Sequence, residues 1–307
     1  MVRNIVFSVF SLSLFSLACA EKEVVEERGW ESADLKELSS GECPDMSESG
    51  ATVQFLSSDE ERTVTILFPS NPEPKMRIVY FFHGLMDPSY SPSSYIAQAL
   101  NFQELADEYN ALIILPESPI WNLMGQRFYM WDVEEGTTEK DLTLFDDLRT
   151  CAARNFDVDL DQLVSSGFSG GSLFNTILLG ERADHIATIV EMSGGANIEV
   201  PTFEKKFARY KTPVVDIPVL LISGGANDLW PDASYPIVQF EEATNTLQSK
   251  LLEDDQFVVR CTHNTGHNIT NKAFSVAIDW LNAHEYGVSS PYEAGIGDWE
   301  DWCVIPE

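Results

Sequence analysis

Gly167-Phe168-Ser169-Gly170-Gly171 is the stretch whose reading decides the fold. An apolar run with strand character, Leu163 to Ser166, precedes it, and a helical pattern, Ser172 to Glu181, follows. Strand, turn and helix in that order are what a Gly-x-Ser-x-Gly elbow requires. The turn is too tight for bulky flanking side chains, which accounts for the glycines. It carries the serine hydroxyl, exposed, to the carboxyl edge of a sheet.

Outward from the elbow the chain alternates between two periods. Ala51–Ser57 and Thr63–Phe68 alternate like an antiparallel pair at a sheet edge, and Arg77–Phe82 and Ala111–Leu115 are continuous apolar runs. Asp161–Gly167, His185–Glu191, Ile217–Ser223 and Gln256–Cys261 supply further strands. Helical patterns lie between them at Pro92–Glu108, Thr138–Asn155, Ser172–Glu181, Tyr235–Leu252 and Thr270–Glu285. The expected fold is α/β: a mostly parallel sheet with an antiparallel N-terminal edge and helices on both faces. Residues 51–285 form this domain. Residues 21–50 read as an acidic linker, and 286–307 as a C-terminal tail packed on the domain.

An alcohol at neutral pH needs a positioned base. Of five histidines, His263 and His267 lie in the loop after the last strand, where a side chain can reach over the serine. His267, preceded by Gly266 and followed by a helix, is the expected base, and His263 is its rival. The base needs an acid to fix its tautomer. Asp228 sits at the carboxyl end of the buried run Ile217–Ser223, with Asp232 as competitor. Ser169, Asp228 and His267 then follow in the order Ser, Asp, His, with room for a βα unit in each gap.

Attack on a carbonyl also requires donors aimed at the developing negative charge, each worth on the order of 3 kcal/mol. The backbone N–H of Gly170, at the start of the elbow helix, is one. The backbone N–H of Leu85, in the loop Phe82-His83-Gly84-Leu85-Met86 after an early central strand, is the other. His83 is expected to brace that loop.

These motifs, Phe82-His-Gly84, Gly167-Phe-Ser-Gly-Gly171, Asp228 and Gly266-His267, resemble those of the α/β-hydrolase superfamily. More narrowly the chain is similar to secreted esterases related to polyhydroxybutyrate depolymerases and feruloyl or acetylxylan esterases. Asp141–Asp147, Asp157–Asp161, Asp184–Val190 and Ser193-Gly-Gly195 carry that similarity, which covers about residues 60–285. Gly170 stands where many members have alanine. No cysteine adjoins Ser169 or His267, unlike in feruloyl esterases that tie serine to histidine by a disulfide. The resemblance implies a serine esterase acting on a small-molecule or polymeric ester, with no metal or cofactor. A prolyl-peptidase-like hydrolase and a non-catalytic binding module on the same scaffold are the alternatives.

The formal charge of −30 argues against nucleic acid or an anionic lipid surface as partner. Residues 1–20 read as an export signal, with Arg3 before the apolar stretch Ile5–Leu17. Two endings compete: cleavage after Ala20, or a lipoprotein box with Cys19 acylated, the one membrane tether the sequence offers. Either leaves four cysteines, Cys43, Cys151, Cys261 and Cys303, for an oxidising compartment, and Cys261–Cys303 is the expected pair.

Asp157-x-Asp159-x-Asp161 lacks the glycine and glutamate of a calcium loop. Asn268-Ile-Thr270 matches a glycosylation sequon but adjoins His267. Trp121, Trp131 and Trp230 fall in strand-following loops where ligands bind such sheets, or else fill core. Glu199–Val215 reads as a partial lid whose Lys205, Lys206, Arg209 and Lys211 pair with local carboxylates.

Overall fold

A computed structural model describes residues 32–123, 125–200, 205–231, 234, 236–299 and 301–307. The export segment with Cys19, the first part of the acidic stretch, and Asp232 lie outside them.

Among the described residues nine strands form the central sheet: β1 (Thr52–Ser57), β2 (Glu60–Leu67), β3 (Met76–Phe82), β4 (Ala111–Pro116), β7 (Val158–Phe168), β8 (Thr188–Met192), β11 (Val219–Ser223), β14 (Val258–Thr262) and β15 (Cys303–Val304). Their order is β1-β2-β4-β3-β7-β8-β11-β14-β15. β4 through β14 pair in parallel, β1 and β2 add an antiparallel edge, and β15 closes the other edge antiparallel. Parallel neighbours require crossovers, which the helices supply.

The alternation of side chains along a strand divides the core. In β3, Tyr80 and Phe82 face one layer, where α3 (Glu139–Asn155), α4 (Gly170–Arg182) and α5 (Phe240–Glu253) contribute Phe145, Phe174 and Leu247. Val79 and Phe81 face the other, against Phe102 of α2 (Phe102–Tyr109) and Trp280 of α6 (Asn271–Ala283).

The sequence reads one helix over Pro92–Glu108, but the chain makes two. α1 (Pro92–Ala99) stops, and Asn101 takes a left-handed conformation (φ 52°) before α2 begins. Asparagine tolerates that region better than most residues. The expected helix Tyr235–Leu252 is helical from Phe240 onward, where α5 starts. Three short antiparallel ribbons were not legible in the sequence: β5 (Ile120–Leu123) with β6 (Gln126–Tyr129), β9 (Ile198–Val200) with β10 (Lys205–Phe207), and β12 (Leu229–Trp230) with β13 (Val238–Gln239). Each lies within a strand-to-helix or strand-to-strand connection.

The described part of the stretch expected as an acidic linker, residues 32–50, carries no helix or strand, yet from Ala33 onward it is tied along α3. Arg149 donates to the carbonyls of Ala33 and Asp34, and Lys36 pairs with Asp146 at 2.7 Å. Asp147 accepts from Ser39, Cys43 is bonded to Cys151, and Met46 is buried in the core. The acidic composition hid this attachment, because the partners that hold it are charged groups on a helix more than a hundred residues later. At the other end Cys261 is bonded to Cys303, the expected pair, and Tyr292 stacks on Trp280 at 5.2 Å.

Candidate active site

β7 hands directly to α4 through Ser169, whose backbone sits at φ 55° and ψ −121°. For a serine such a conformation costs on the order of 1–3 kcal/mol and must be imposed by its surroundings. The surroundings are tight. A Cβ on Gly171 would lie 2.0 Å from the Phe82 carbonyl oxygen, and one on Gly167 would lie 2.7 Å from the Gly171 carbonyl carbon. The Ser169 N–H donates to Met192 O at 2.9 Å, and its carbonyl accepts from Leu173 N–H at 3.0 Å. Gly167 and Gly171 are thus required by close backbone approach, as the sequence implied, whereas a Cβ on Gly170 would make only ordinary contact.

Three side chains form a hydrogen-bonded series at the carboxyl edge. His267 Nε2 lies 2.9 Å from Ser169 Oγ, and His267 Nδ1 lies 2.6 Å from Asp228 Oδ1. Asp228, fully buried, also accepts from Ser193 Oγ at 2.8 Å and from Gly224 N–H at 2.7 Å. Burial alone would raise its carboxyl. The hydrogen bonds from His267, Gly224 and Ser193 outweigh burial and hold it below the usual carboxylate range. His263 turns away: its Nδ1 faces Thr265, 2.7 Å from Oγ1.

The Gly170 N–H opens α4, where no intrahelical acceptor exists for it. A Cβ placed on Gly170 would lie 3.7 Å from Leu85 N, so the Leu85 loop crosses beside the helix start. Leu85 N–H donates to no backbone acceptor among the described residues. His83 braces this loop from inside. Its Nδ1–H donates to Gly84 O at 2.6 Å and its Nε2 accepts from Ser118 N–H at 3.1 Å, while Trp131 Nε1–H donates to the His83 carbonyl at 2.8 Å. Burial lowers the His83 imidazole to about 4, so it stays neutral and structural at physiological pH.

Two residues at the site escaped the sequence reading. The His267 ring lies between Phe168 (4.8 Å between centroids, 29° between planes) and Phe240 (4.4 Å, 14°). Phe168 is the unrestricted position of the elbow, and Phe240 opens a helix seventy-one residues after Ser169, so neither carries a local signal. Ser193, at φ 52°, was noted only as part of Ser193-Gly-Gly195; its contact with Asp228 needs the β8 end beside the β11 end. Asn268 of the sequon uses its side-chain amide to bond Thr265 O at 2.8 Å, and Thr270 caps α6.

Beside Ser169 opens a cavity of about 490 Å3 bordered by Ser169, Gly170, Leu85 and residues of all three ribbons. Trp121, Trp131 and Trp230 all line it. Trp131 is buried and stacked on Phe174 at 5.2 Å, so it serves core and cavity together. The basic residues of the 199–215 segment pair locally: Lys205 with Glu134, Lys206 with Glu199, Arg209 with Glu135 and Lys211 with Glu181.

No protein-family profile matches the chain. A bifunctional acetylxylan esterase/xylanase of Neocallimastix patriciarum is 25% identical over 134 residues, 43% of this chain. The match spans 18% of that enzyme's length. The solved structure of native sOPH superposes with a TM-score of 0.66, covering 86% of this chain and 96% of its own at 16% identity. The chain has the α/β-hydrolase fold. Within that fold a ferulic acid esterase (TM-score 0.57, 12% identity, 76% of this chain and 96% of its own) is a further structural neighbour. An S-formylglutathione hydrolase from Agrobacterium tumefaciens is another (0.52, 14%, 78% and 95%). The nine-stranded central sheet and the helices that cover it are those of the α/β-hydrolase fold.

Proposed function

We propose that the protein is a serine esterase that hydrolyses carboxylic esters through Ser169, His267 and Asp228. The observation that carries the reading is the unbroken series of hydrogen bonds, 2.9 Å and 2.6 Å, from a strained elbow serine through imidazole to a buried carboxylate. Ser169 Oγ attacks the ester carbon while its proton passes to His267 Nε2. The resulting oxyanion is held by the N–H groups of Gly170 and Leu85. The carbon–oxygen bond to the alcohol breaks and the alcohol leaves with the proton from His267, forming an acyl-enzyme. Water, deprotonated by His267, attacks that acyl carbon and releases the acid and free Ser169. Asp228, kept ionised by its donors, fixes the Nδ1–H tautomer and stabilises the imidazolium.

The esterase names of the relatives support the ester bond as the target. The peptide-bond alternative has no feature in its favour among the described residues. Two disulfides and the sequence of residues 1–20 support export, with Cys19 as a candidate for acylation. Hydrolysis of p-nitrophenyl butyrate by wild type and Ser169→Ala tests the reading, together with fluorophosphonate labelling. Turnover by Ser169→Ala equal to wild type would sink it.

A further inference from the structure

The cavity beside Ser169 is large enough to enclose a whole organic group, and its volume of about 490 Å3 lies in the range typical of ligand pockets. Trp131, Phe207, Trp230 and Phe240 give it aromatic walls, and Leu173 and Ile237 add aliphatic surface. The charged groups at its border are already engaged among the described residues. Lys205 pairs with Glu134, and Asp132 accepts from the Thr137 hydroxyl. A group entering it meets apolar surface.

The position of His267 decides which half of an ester enters. Ser169, Gly170 and Leu85 all border the cavity, whereas His267 does not. The leaving alcohol must take its proton from His267 Nε2, so it lies on the imidazole side of Ser169 Oγ. The acyl chain, on the other side of the carbon held between Ser169 and the two N–H groups, is left the cavity. Resting on the esterase reading above, we infer that this cavity is the acyl pocket. The preferred substrates are esters of apolar acids of medium size, with little demand on the alcohol.

Purified protein is assayed on p-nitrophenyl acetate, butyrate and octanoate below their micelle concentrations, and on ethyl octanoate against its isomer octyl acetate. The kcat/KM should rise by about fourfold per added methylene until the cavity fills. Ethyl octanoate should be cleaved faster than octyl acetate, although the two carry the same atoms. In Ile237→Trp, which fills the cavity from a partly exposed wall, the octanoate-to-acetate ratio should fall by at least about tenfold. That ratio does not depend on the fraction of folded enzyme. Preference for acetate over octanoate, or for octyl acetate over ethyl octanoate, overturns the inference while leaving the esterase reading intact. Absence of any hydrolysis and of fluorophosphonate labelling overturns both.

Discussion

Replacing Asp228 by asparagine keeps the shape of the side chain and exchanges one acceptor oxygen for an NH2 group. Asp228 receives three hydrogen bonds: from His267 Nδ1–H on Oδ1 at 2.6 Å, and from Ser193 Oγ at 2.8 Å and Gly224 N–H at 2.7 Å on Oδ2. An amide has one acceptor oxygen, so in Asp228→Asn one side must face donors with a donor. If the NH2 takes the Oδ2 side, the Gly224 N–H cannot rotate and is left buried without an acceptor, costing about 1–3 kcal/mol. If it takes the Oδ1 side, the imidazole can move its proton from Nδ1 to Nε2, and every group keeps a partner. The second arrangement costs less, but it makes Nε2 a donor toward Ser169 Oγ and removes the base. The variant should therefore remain folded, with stability lowered by less than about 2 kcal/mol. Its kcat should fall by about 10⁴-fold. Steady-state hydrolysis of p-nitrophenyl butyrate and urea unfolding of the same preparation measure the two quantities. A folded variant that keeps more than about a tenth of wild-type kcat would refute the tautomer argument.

Other perturbations follow from the same geometry. Gly171→Ala puts a methyl group 2.0 Å from the Phe82 carbonyl oxygen, with backbone on both sides, so destabilisation beyond about 4 kcal/mol is expected in urea unfolding. Phe240→Leu removes one ring stacked on His267 and should lower kcat by about 2- to 30-fold, the loss of 0.5–2 kcal/mol of imidazolium stabilisation, with Phe240→Tyr restoring it. Cys43→Ser with Cys151→Ser opens a link spanning 108 residues and should cost about 3–5 kcal/mol, read as a lower thermal midpoint. Burial raises the Glu191 carboxyl to about 8. When protonated it can donate to Thr176 Oγ1, which donates to Gly195 O, while its other oxygen accepts Gly195 N–H, each at 2.8 Å. Because the folded value lies above the unfolded one, this contribution is complete below about pH 4.5 and is lost as pH rises to about 8. Glu191→Gln should flatten that decline in urea midpoints between pH 5 and 9, and an unchanged slope would contradict the assignment.

Much of the architecture was legible because it rests on local rules. The continuous apolar runs at Arg77–Phe82 and Ala111–Leu115 are what strands covered on both faces require, and they became β3 and β4. The elbow was legible because Gly167 answers to a steric limit within its own turn, the backbone of Gly171 and Ser172, whereas the limit on Gly171 comes from the distant Phe82 carbonyl. The kink at Asn101 was not, because a single left-handed residue leaves the helical periodicity on either side unchanged. The ribbons β5–β6, β9–β10 and β12–β13 are two to four residues per strand, too short for alternation to register. Residues 21–50 read as a linker because their composition is acidic, yet Lys36, Arg149 and Cys151 hold the described part of them to α3.

The sequence by itself determined the order of the elements, the strain-tolerant turn at Ser169, and the short set of residues from which a nucleophile, base and acid could be drawn. Those follow from periodicity and backbone sterics, which act over a few residues. Tertiary structure decided which histidine faces the serine: His267 and His263 share one loop, and only the path of that loop over the β7 end turns the first inward. It also decided what surrounds the imidazole. Phe168 and Phe240 flank the ring while Ser193 and Gly224 hold Asp228, because parallel strands β7, β8 and β11 end side by side and α5 begins against the Asp228 carbonyl, bringing together residues that no spacing in the chain relates.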